Sequence, residues 1–292
     1  MHGIGLHVTN EHAWFYGGIV KKLPFSVSGV VLTPVFSTTP VLTFRNFSLR
    51  CDKSDPQISF QSPWNWELGR ERRIALISNN SYLKFQLIAS LADLAEPVTG
   101  EVISEGIISW PVGGEGGLDK KLRISHAINF LSIVYGDCLD QSQVSLDEFW
   151  SLLSEMKIYP ALIIRELSRS QKDFFYLALS VLFSFDFYLI PRANYLMSRT
   201  AKPLRALLLK QLEGKSLFTT STNSRFRREF CTEGLVLGSL GEILFFGELS
   251  DAIHWADNNL EARDISGSDE DQFDIGLNLV NSESETDDQF DL

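Results

Sequence analysis

The sequence predicts an α/β fold built on a parallel sheet, because short apolar strands alternate with helical segments along most of the chain. The clearest strand is 73–77 (Arg-Ile-Ala-Leu-Ile), a run of the kind that is buried on both faces of a parallel sheet. A helical segment at 82–94 follows it, and a second apolar run at 187–190 follows a long stretch of helical periodicity. These observations predict a sheet interrupted by a helical insert at about 119–170.

The remaining elements follow from turn residues and local apolar patterns. Residues 8–60 are rich in short β-type runs, and helical periodicity extends from about 125 to 182 with a break at Tyr159-Pro160. The predicted elements, in order, are strands at 19–20, 30–33, 41–44 and 73–77, a helix at 82–94, a turn at 97–100, a strand at 106–110, the helical stretch at 125–182, a strand at 187–190, a helix at 201–212, a strand at 217–220, a short helix at 225–230, and a closing pair of strands at 234–237 and 242–246.

Charge divides the 292-residue chain into a nearly neutral body at 1–260 and an acidic tail at 261–292. The formal net charge is −11, and the tail contains eleven acidic residues and one basic residue. A body without an excess of basic residues argues against nucleic-acid binding. From Asp264 onward the tail has few large apolar residues to offset the entropy of ordering, so it is predicted to be disordered.

A short repeat occurs within the tail. Asp-Gln-Phe-Asp-Ile at 271–275 recurs as Asp-Gln-Phe-Asp-Leu at 288–292. Two interpretations stay open: chance similarity within a solubilising tail, and a duplicated docking motif that binds an unidentified protein partner. In the second, each copy contributes one apolar pair to a groove while its aspartates face a basic rim. The candidate interaction residues are Phe273, Ile275, Phe290 and Leu292.

Cysteine usage and hydropathy predict a cytoplasmic chain without direct membrane insertion. The three cysteines are far apart and the five histidines are scattered, so neither a disulfide framework nor a metal site is predicted. The longest apolar run, 174–190, is interrupted by Asp186 and is shorter than the stretch of about 20 residues that a membrane-spanning helix needs. The N-terminus lacks a basic region followed by an apolar stretch, so no secretory signal is predicted.

Four ordered segments resemble the ATP-binding subunit of ABC transporters that export capsular polysaccharide and related glycans. The most specific is 108–117 (Ile-Ser-Trp-Pro-Val-Gly-Gly-Glu-Gly-Gly), and 128–136, 179–190 and 229–237 follow in the family's order and spacing. The resemblance extends over about 45–256. It implies a P-loop NTPase-like ABC nucleotide-binding domain with an N-terminal β-rich subdomain and a helical insert. In this family the insert docks on the coupling helices of a membrane permease.

The phosphate-binding segment of the family corresponds to 77–87 in this chain. A phosphate loop uses glycines so that successive backbone N–H groups surround the phosphates, together with a lysine and a Ser/Thr hydroxyl. Lys84 remains, but other residues take the glycine positions: Ser78, Ser81 and Leu83. The resemblance therefore leaves Asn80 and Lys84 as vestigial nucleotide-binding positions.

The other catalytic positions implied by the resemblance also hold different residue types. After the strand at 187–190 the family places an Asp that holds magnesium and a Glu that orients the attacking water, and this chain has Pro191 and Arg192. Thr222 takes the place of the switch histidine. In the segment that resembles the ABC signature, Ser168 and Gln171 remain but both glycines are replaced. These degenerate positions predict that ordinary ATP hydrolysis is lost and that no cofactor is needed.

Two features near the resemblance have more than one interpretation. Trp64 and Trp66 fit stacking on an adenine, as an aromatic residue does in this family, and they also fit packing in the core or at a sheet edge, which we favour. The glycine-rich segment 113–117 is flexible enough to bind a ligand, and it also fits a conformational joint beside the helical insert, which we favour.

Three functional hypotheses follow. The first is a catalytically inactive homologue that serves as a structural or regulatory subunit of a polysaccharide (capsule) export system, bound to an ABC permease or to a second ATP-binding subunit at the inner face of the cytoplasmic membrane. The second is a divergent but active subunit of such an exporter, which binds ATP and magnesium. The third is a soluble adaptor that works through its acidic tail motifs.

Overall fold

The computed structural model describes residues 42–260. The predicted strands at 19–20 and 30–33 and the predicted tail at 261–292, with its interaction residues Phe273, Ile275, Phe290 and Leu292, lie outside the described residues. The strands are β1 (Leu42–Ser48), β2 (Trp64–Leu68), β3 (Arg73–Ile77), β4 (Thr99–Ser104), β5 (Phe187–Ile190), β6 (Ser216–Thr219), β7 (Glu233–Leu237) and β8 (Ile243–Glu248). The helices are α1 (Ser81–Leu91), α2 (Ile124–Val134), α3 (Gly136–Asp140), α4 (Leu146–Glu155), α5 (Arg169–Leu182), α6 (Lys202–Gln211), α7 (Ser224–Phe230) and α8 (Leu249–Asn259), with a 3₁₀ turn at Ile164–Glu166.

The larger sheet has five strands in the order β5-β6-β3-β7-β8. The first four are parallel, and β8 closes the sheet antiparallel to β7, as the predicted closing pair requires. Side chains alternate between the two faces: Ile74 and Leu76 belong to one apolar cluster, and Ala75 belongs to the other. Because both faces are covered, the strands appear in the sequence as continuous apolar runs, and the predictions at 73–77 and 187–190 are confirmed.

The smaller sheet is antiparallel, in the order β2-β1-β4, and it forms the β-rich subdomain. Its aromatic residues pack on one another: Phe44 stacks on Trp66 with ring centroids 5.0 Å apart, and the buried Trp64 donates its indole N–H to the Gly241 carbonyl at 2.8 Å. These contacts agree with the packing interpretation of the two tryptophans.

The predicted turn at 97–100 is wrong in part, because β4 begins at Thr99. Gly100 has a positive φ of 72° and lies against β1, where a Cβ atom would overlap the carbonyl oxygen of Arg45. Glycine is therefore needed here because β1 and β4 approach closely next to the register shift in β1, and not because the chain reverses direction.

The predicted strand at 106–110 is also wrong. This segment runs beside β5, but it makes one bridge, between Ile108 and Phe187, and no ladder. The hydroxyl of Ser109 accepts the N–H of Leu189 at 3.0 Å in place of a backbone carbonyl, and Pro111 has no N–H to donate. The serine hydroxyl and the proline together interrupt the ladder, and the N–H of Val112 donates to the Leu189 carbonyl at 2.8 Å beyond the interruption.

The predicted break at Tyr159-Pro160 is confirmed, but the helical periodicity from 125 to 182 is also interrupted elsewhere. Residues 119–170 contain α2, α3, α4 and the 3₁₀ turn before α5 begins. The helix α8 was not predicted, because the residues on its buried face, Leu249, Ala252 and Ala256, are mostly small and give a weak apolar pattern. Within the described residues, no helix combines the length and the apolar character that crossing a membrane requires.

Candidate functional site

The parallel strands bring most of the predicted site residues to one edge of the larger sheet. Since the carboxyl ends of parallel strands face the same way, the loops after β3, β5 and β6 meet there. Asn80 lies in the first loop, Pro191 and Arg192 in the second, and Thr222 in the third. Lys84 lies in the first turn of α1, directly behind this edge.

The loop between β3 and α1 consists of three residues, 78–80, with no positive φ among them. A phosphate loop places six residues, from its first to its second glycine, ahead of the lysine. Here the helix starts three residues before Lys84. The N–H of Asn80 donates to the Ser78 hydroxyl at 3.1 Å, and the N–H of Leu83 donates to the side-chain oxygen of Asn80 at 2.9 Å. Two N–H groups at this position are therefore bonded within the chain.

Asn80 joins three parts of the chain. Its side-chain oxygen caps α1, and its amide nitrogen donates to the carbonyl of Cys51 at 2.7 Å and to the carbonyl of Ser239 at 2.9 Å. Both amide hydrogens thus tie α1 to the segment after β1 and to the turn between β7 and β8. Lys84 lies in the first turn of α1 and is buried, with 5% of its surface exposed. A lysine at this depth is held within the protein and is not extended toward solvent.

The loops after β5 and β6 are bonded to each other. Thr219 donates its hydroxyl to the Ile190 carbonyl at 2.6 Å, and Thr220 donates to the Pro191 carbonyl at 3.2 Å. Pro191 is buried, Arg192 is half-buried, and the side chain of Thr222 faces solvent. These bonds fix the backbone at Pro191, where the resemblance expects a magnesium ligand.

Ser168 and Gln171 lie at the start of α5 and form a capping box. The N–H of Gln171 donates to the Ser168 hydroxyl at 3.3 Å, and the N–H of Ser168 donates to the side-chain oxygen of Gln171 at 3.0 Å. The amide nitrogen of Gln171 also donates to the Met156 carbonyl at 3.1 Å. Both residues have a local structural role that their chemistry explains without a ligand.

The residues at this edge do not fit Mg-ATP in the arrangement that the resemblance implies. The loop after β3 is too short to surround phosphates, and side chains already accept its N–H groups. A proline and an arginine stand where metal-binding and base carboxylates are expected, and a guanidinium repels a magnesium ion. In residues 42–260, no three His, Cys, Asp or Glu side chains are grouped so that they could hold a metal ion.

None of the three cysteines is poised to react. All are buried, and burial raises the pKa of the Cys51 thiol to about 11 and that of Cys231 to about 12. The pKa of Cys138 is also raised, chiefly by burial. Thiols with such pKa values stay protonated at neutral pH, in agreement with a packing role.

The structure reveals one surface that the sequence predictions did not identify. Helix α2 buries Ala127 and Leu131 on one face, and its other face exposes Phe130, Ile133 and Val134. Ile133 is 84% exposed. The spacing of the exposed residues, i, i+3 and i+4, puts them on one side of the helix. The available signal was that apolar residues occur on more than one side of the helix, which exceeds the single apolar stripe of an ordinary surface helix.

We expect replacement of Asn80 by alanine to lower the free energy of unfolding by roughly 2 kcal/mol, because one helix cap and two hydrogen bonds to the Cys51 and Ser239 carbonyls are lost. Urea unfolding followed by circular dichroism measures the change. Asn80→Asp retains the oxygen that accepts the Leu83 N–H and loses the two donors, so it should have an intermediate effect. Equal stability of all three proteins would contradict the structural role.

The chain is similar in sequence to known ATP-binding proteins of polysaccharide export. No protein-family model matches it. The chain is 28% identical over 183 residues to the polysialic acid transport ATP-binding protein KpsT of Escherichia coli, covering 62% of this chain and 82% of that one. It is 24% identical over 174 residues to the capsule polysaccharide export ATP-binding protein CtrD of Neisseria meningitidis serogroup B, covering 59% and 79%. The ATP-binding protein BexA of Haemophilus influenzae is 25% identical over 174 residues, covering 59% and 78%.

Solved structures confirm the fold that the resemblance implied. A structure of an ATP-binding subunit of an ABC transporter has a TM-score of 0.57 at 17% identity and covers 82% of this chain and 99% of its own. A nucleotide-free ATP-binding cassette from an ABC transporter has a TM-score of 0.52 at 12% identity and covers 79% and 100%. The described residues therefore have the α/β fold of an ABC nucleotide-binding domain.

Proposed function

We propose that this chain, a homologue of the ATP-binding subunits of capsule polysaccharide exporters, is a non-hydrolysing subunit of a polysaccharide export system that acts by binding the exporter's permease. The observation that carries the proposal is the internal bonding at the carboxyl edge of the larger sheet. There, Asn80 bonds to neighbouring strand connections, and the loops after β5 and β6 bond to each other. An edge arranged in this way favours a rigid scaffold over a nucleotide site.

The retained insert supplies the binding surface. Three apolar side chains of α2 project into solvent: Phe130 at 51%, Ile133 at 84% and Val134 at 54% exposure. A contiguous exposed apolar face that includes an aromatic residue is typical of a protein–protein contact, whereas single exposed apolar residues are ordinary. The segment that resembles the family's permease-docking insert carries this face, which supports a permease as the partner. Binding to a permease would place the chain at the inner face of the cytoplasmic membrane.

A divergent active subunit is the second candidate, and Lys84 is the observation that favours it. This lysine keeps its place in the first turn of the helix that follows β3, at the edge where ligands bind in open α/β sheets. The relatives with which the chain shares sequence are themselves ATP-binding proteins by name. In this alternative, ATP and magnesium bind and change the affinity for the permease.

Measurement of nucleotide dependence separates the two candidates. The full-length chain is titrated onto the detergent-solubilised permease of a capsule exporter, with and without Mg-ATP, and binding is followed by biolayer interferometry. We expect the same affinity in both conditions, and the same affinity for Lys84→Met, which keeps an unbranched side chain in the buried position. An ATP effect that is lost in Lys84→Met would favour the active subunit. Absence of permease binding in every condition would overturn both candidates and leave the adaptor that works through tail motifs.

A further inference from the structure

A cleft of about 550 Å³ lies between the end of α7 and the first turns of α8. Its floor is apolar, since the lining residues Cys231 and Leu249 are buried and Ile253 is half-buried. Arg228 and Ser250 line the cleft and face solvent at its rim. A volume of this size accepts an aromatic side chain together with a neighbouring aliphatic one. The residues at the edge of the larger sheet do not contribute to it.

The side of the cleft formed by α7 has an excess of basic residues. Helix α7 contains Arg225, Arg227 and Arg228 and one acidic residue, Glu229, although the chain as a whole is acidic. Arg225 lies in the first turn of α7, where the helix dipole disfavours a cation. Among residues 42–260, neither Arg225 nor Arg228 forms an ion pair. Arg228 lies in the last turn of α7, where the helix dipole favours a cation, and its exposed position at the rim leaves it accessible to an acidic ligand.

We propose that this cleft binds the acidic tail of the same chain through the motif Asp-Gln-Phe-Asp-Ile at 271–275. Phe273 and Ile275 contact the apolar floor, and the aspartates on either side of Phe273 pair with Arg228. The single carboxylate that lines the cleft, Glu248, repels an aspartate on its own side. The aspartates of the motif are therefore placed on the α7 side of the cleft, away from Glu248.

The length of the connection is sufficient. The described chain ends at Leu260, one residue after α8, and α8 leads away from the cleft over 11 residues, or about 16 Å. Phe273 is the thirteenth residue after Leu260, and a connection of that length spans up to about 45 Å when extended, so the motif can return along α8 to the cleft. A tether of this kind gives an effective concentration on the order of millimolar, which lets a weak contact be well populated. The second copy at 288–292 has a longer tether and is a weaker competitor.

Peptide binding tests the proposal with the full-length protein. A fluorescein-labelled peptide of residues 266–279 is titrated with the chain carrying Phe273→Ala and Phe290→Ala, whose own motifs no longer compete, and fluorescence anisotropy is measured. We expect saturable binding that is at least about tenfold tighter than binding to the unaltered chain, in which the tethered motif occupies the cleft. Raising the salt concentration from about 0.1 M to about 1 M should weaken it, because ion pairs contribute.

Two cleft variants, made in the same background, identify the site. Arg228→Glu reverses the charge at the rim, and Ser250→Trp fills the mouth without a charge change. Each is expected to weaken peptide binding at least about tenfold. Arg50→Glu, which alters an exposed arginine on the segment after β1, is the matched control and should leave binding unchanged. Unchanged affinity in both cleft variants would overturn the proposal, as would binding of phosphatidylglycerol vesicles by the cleft without binding of the peptide.

Discussion

Full-length protein incubated with Mg-ATP is expected to release phosphate no faster than a heat-unfolded sample, and calorimetric titration with Mg-ATP is expected to give no saturable heat. Phosphoryl transfer depends on positioned magnesium, a carboxylate that orients water and donors around the transferred phosphate. The chain places Pro191 and Arg192 at the end of β5, and the loop that would surround the phosphates has three residues. Because enzymes accelerate such reactions by at least about 10⁶-fold, loss of these groups removes a very large effect.

A relative assayed in parallel, such as KpsT of Escherichia coli, shows whether the phosphate assay can detect turnover by a protein of this kind. Lys84→Met in the present chain should behave like the unaltered protein in both measurements. Micromolar binding of Mg-ATP that disappears in Lys84→Met would contradict the expectation, since it would mean that the buried lysine still reaches a phosphate.

The sequence predicted the parallel part of the larger sheet well because its strands are buried on both faces. The apolar runs at 73–77 and 187–190 contain little else, so their boundaries match β3 and β5. Strand β2 (Trp64–Leu68) is missing from the predicted elements, because apolar and polar residues alternate in it over only five residues and such a short pattern is a weak strand signal. At 106–110 the apolar residues resemble a strand, yet a serine hydroxyl and Pro111 prevent a ladder from forming.

The site was harder to predict, because its interactions join distant parts of the chain. Asn80 was expected to be a vestigial nucleotide-binding residue, and its partners are 29 and 159 residues away, at Cys51 and Ser239. No short sequence pattern predicts hydrogen bonds between residues so far apart in the chain. The roles of Ser168 and Gln171 had a local signal, since a serine followed three residues later by a glutamine ahead of an apolar helix is a capping-box pattern. The roles of these residues in nucleotide binding stay predictions.

Helix α2 shows why a surface needs the structure even when its pattern is plain. The sequence Ile-Ser-His-Ala-Ile-Asn-Phe-Leu-Ser-Ile-Val is apolar on more than one side, so periodicity alone does not say which side faces the core. Packing against the rest of the insert buries Ala127, Ile128 and Leu131 and leaves Phe130 and Ile133 in solvent. A helical face left uncovered in this way is the feature that a partner would bind.

Replacement of Phe130 and Ile133 by aspartate is expected to weaken binding to the permease by more than about 100-fold, because each apolar side chain contributes roughly 1.5–3 kcal/mol when it is fully buried. A charge left in a desolvated contact adds to the loss. The two side chains are 51% and 84% exposed, so the melting temperature of the isolated protein should change little. The affinity is measured by biolayer interferometry on the detergent-solubilised permease, and the melting temperature by differential scanning fluorimetry.

The matched control adds the same charge at polar positions on another helix of the insert. Ser151 and Ser154 are exposed on α4, and Ser151→Asp with Ser154→Asp adds two carboxylates without removing apolar surface. If contact depends on the apolar face, the control retains most of the affinity while the Phe130/Ile133 variant loses it. Equal loss in both variants would mean that the permease responds to charge on the insert and not to burial of these side chains. Retained affinity in both would place the docking surface elsewhere on the chain, and the exposed face of α2 would then have no part in assembly.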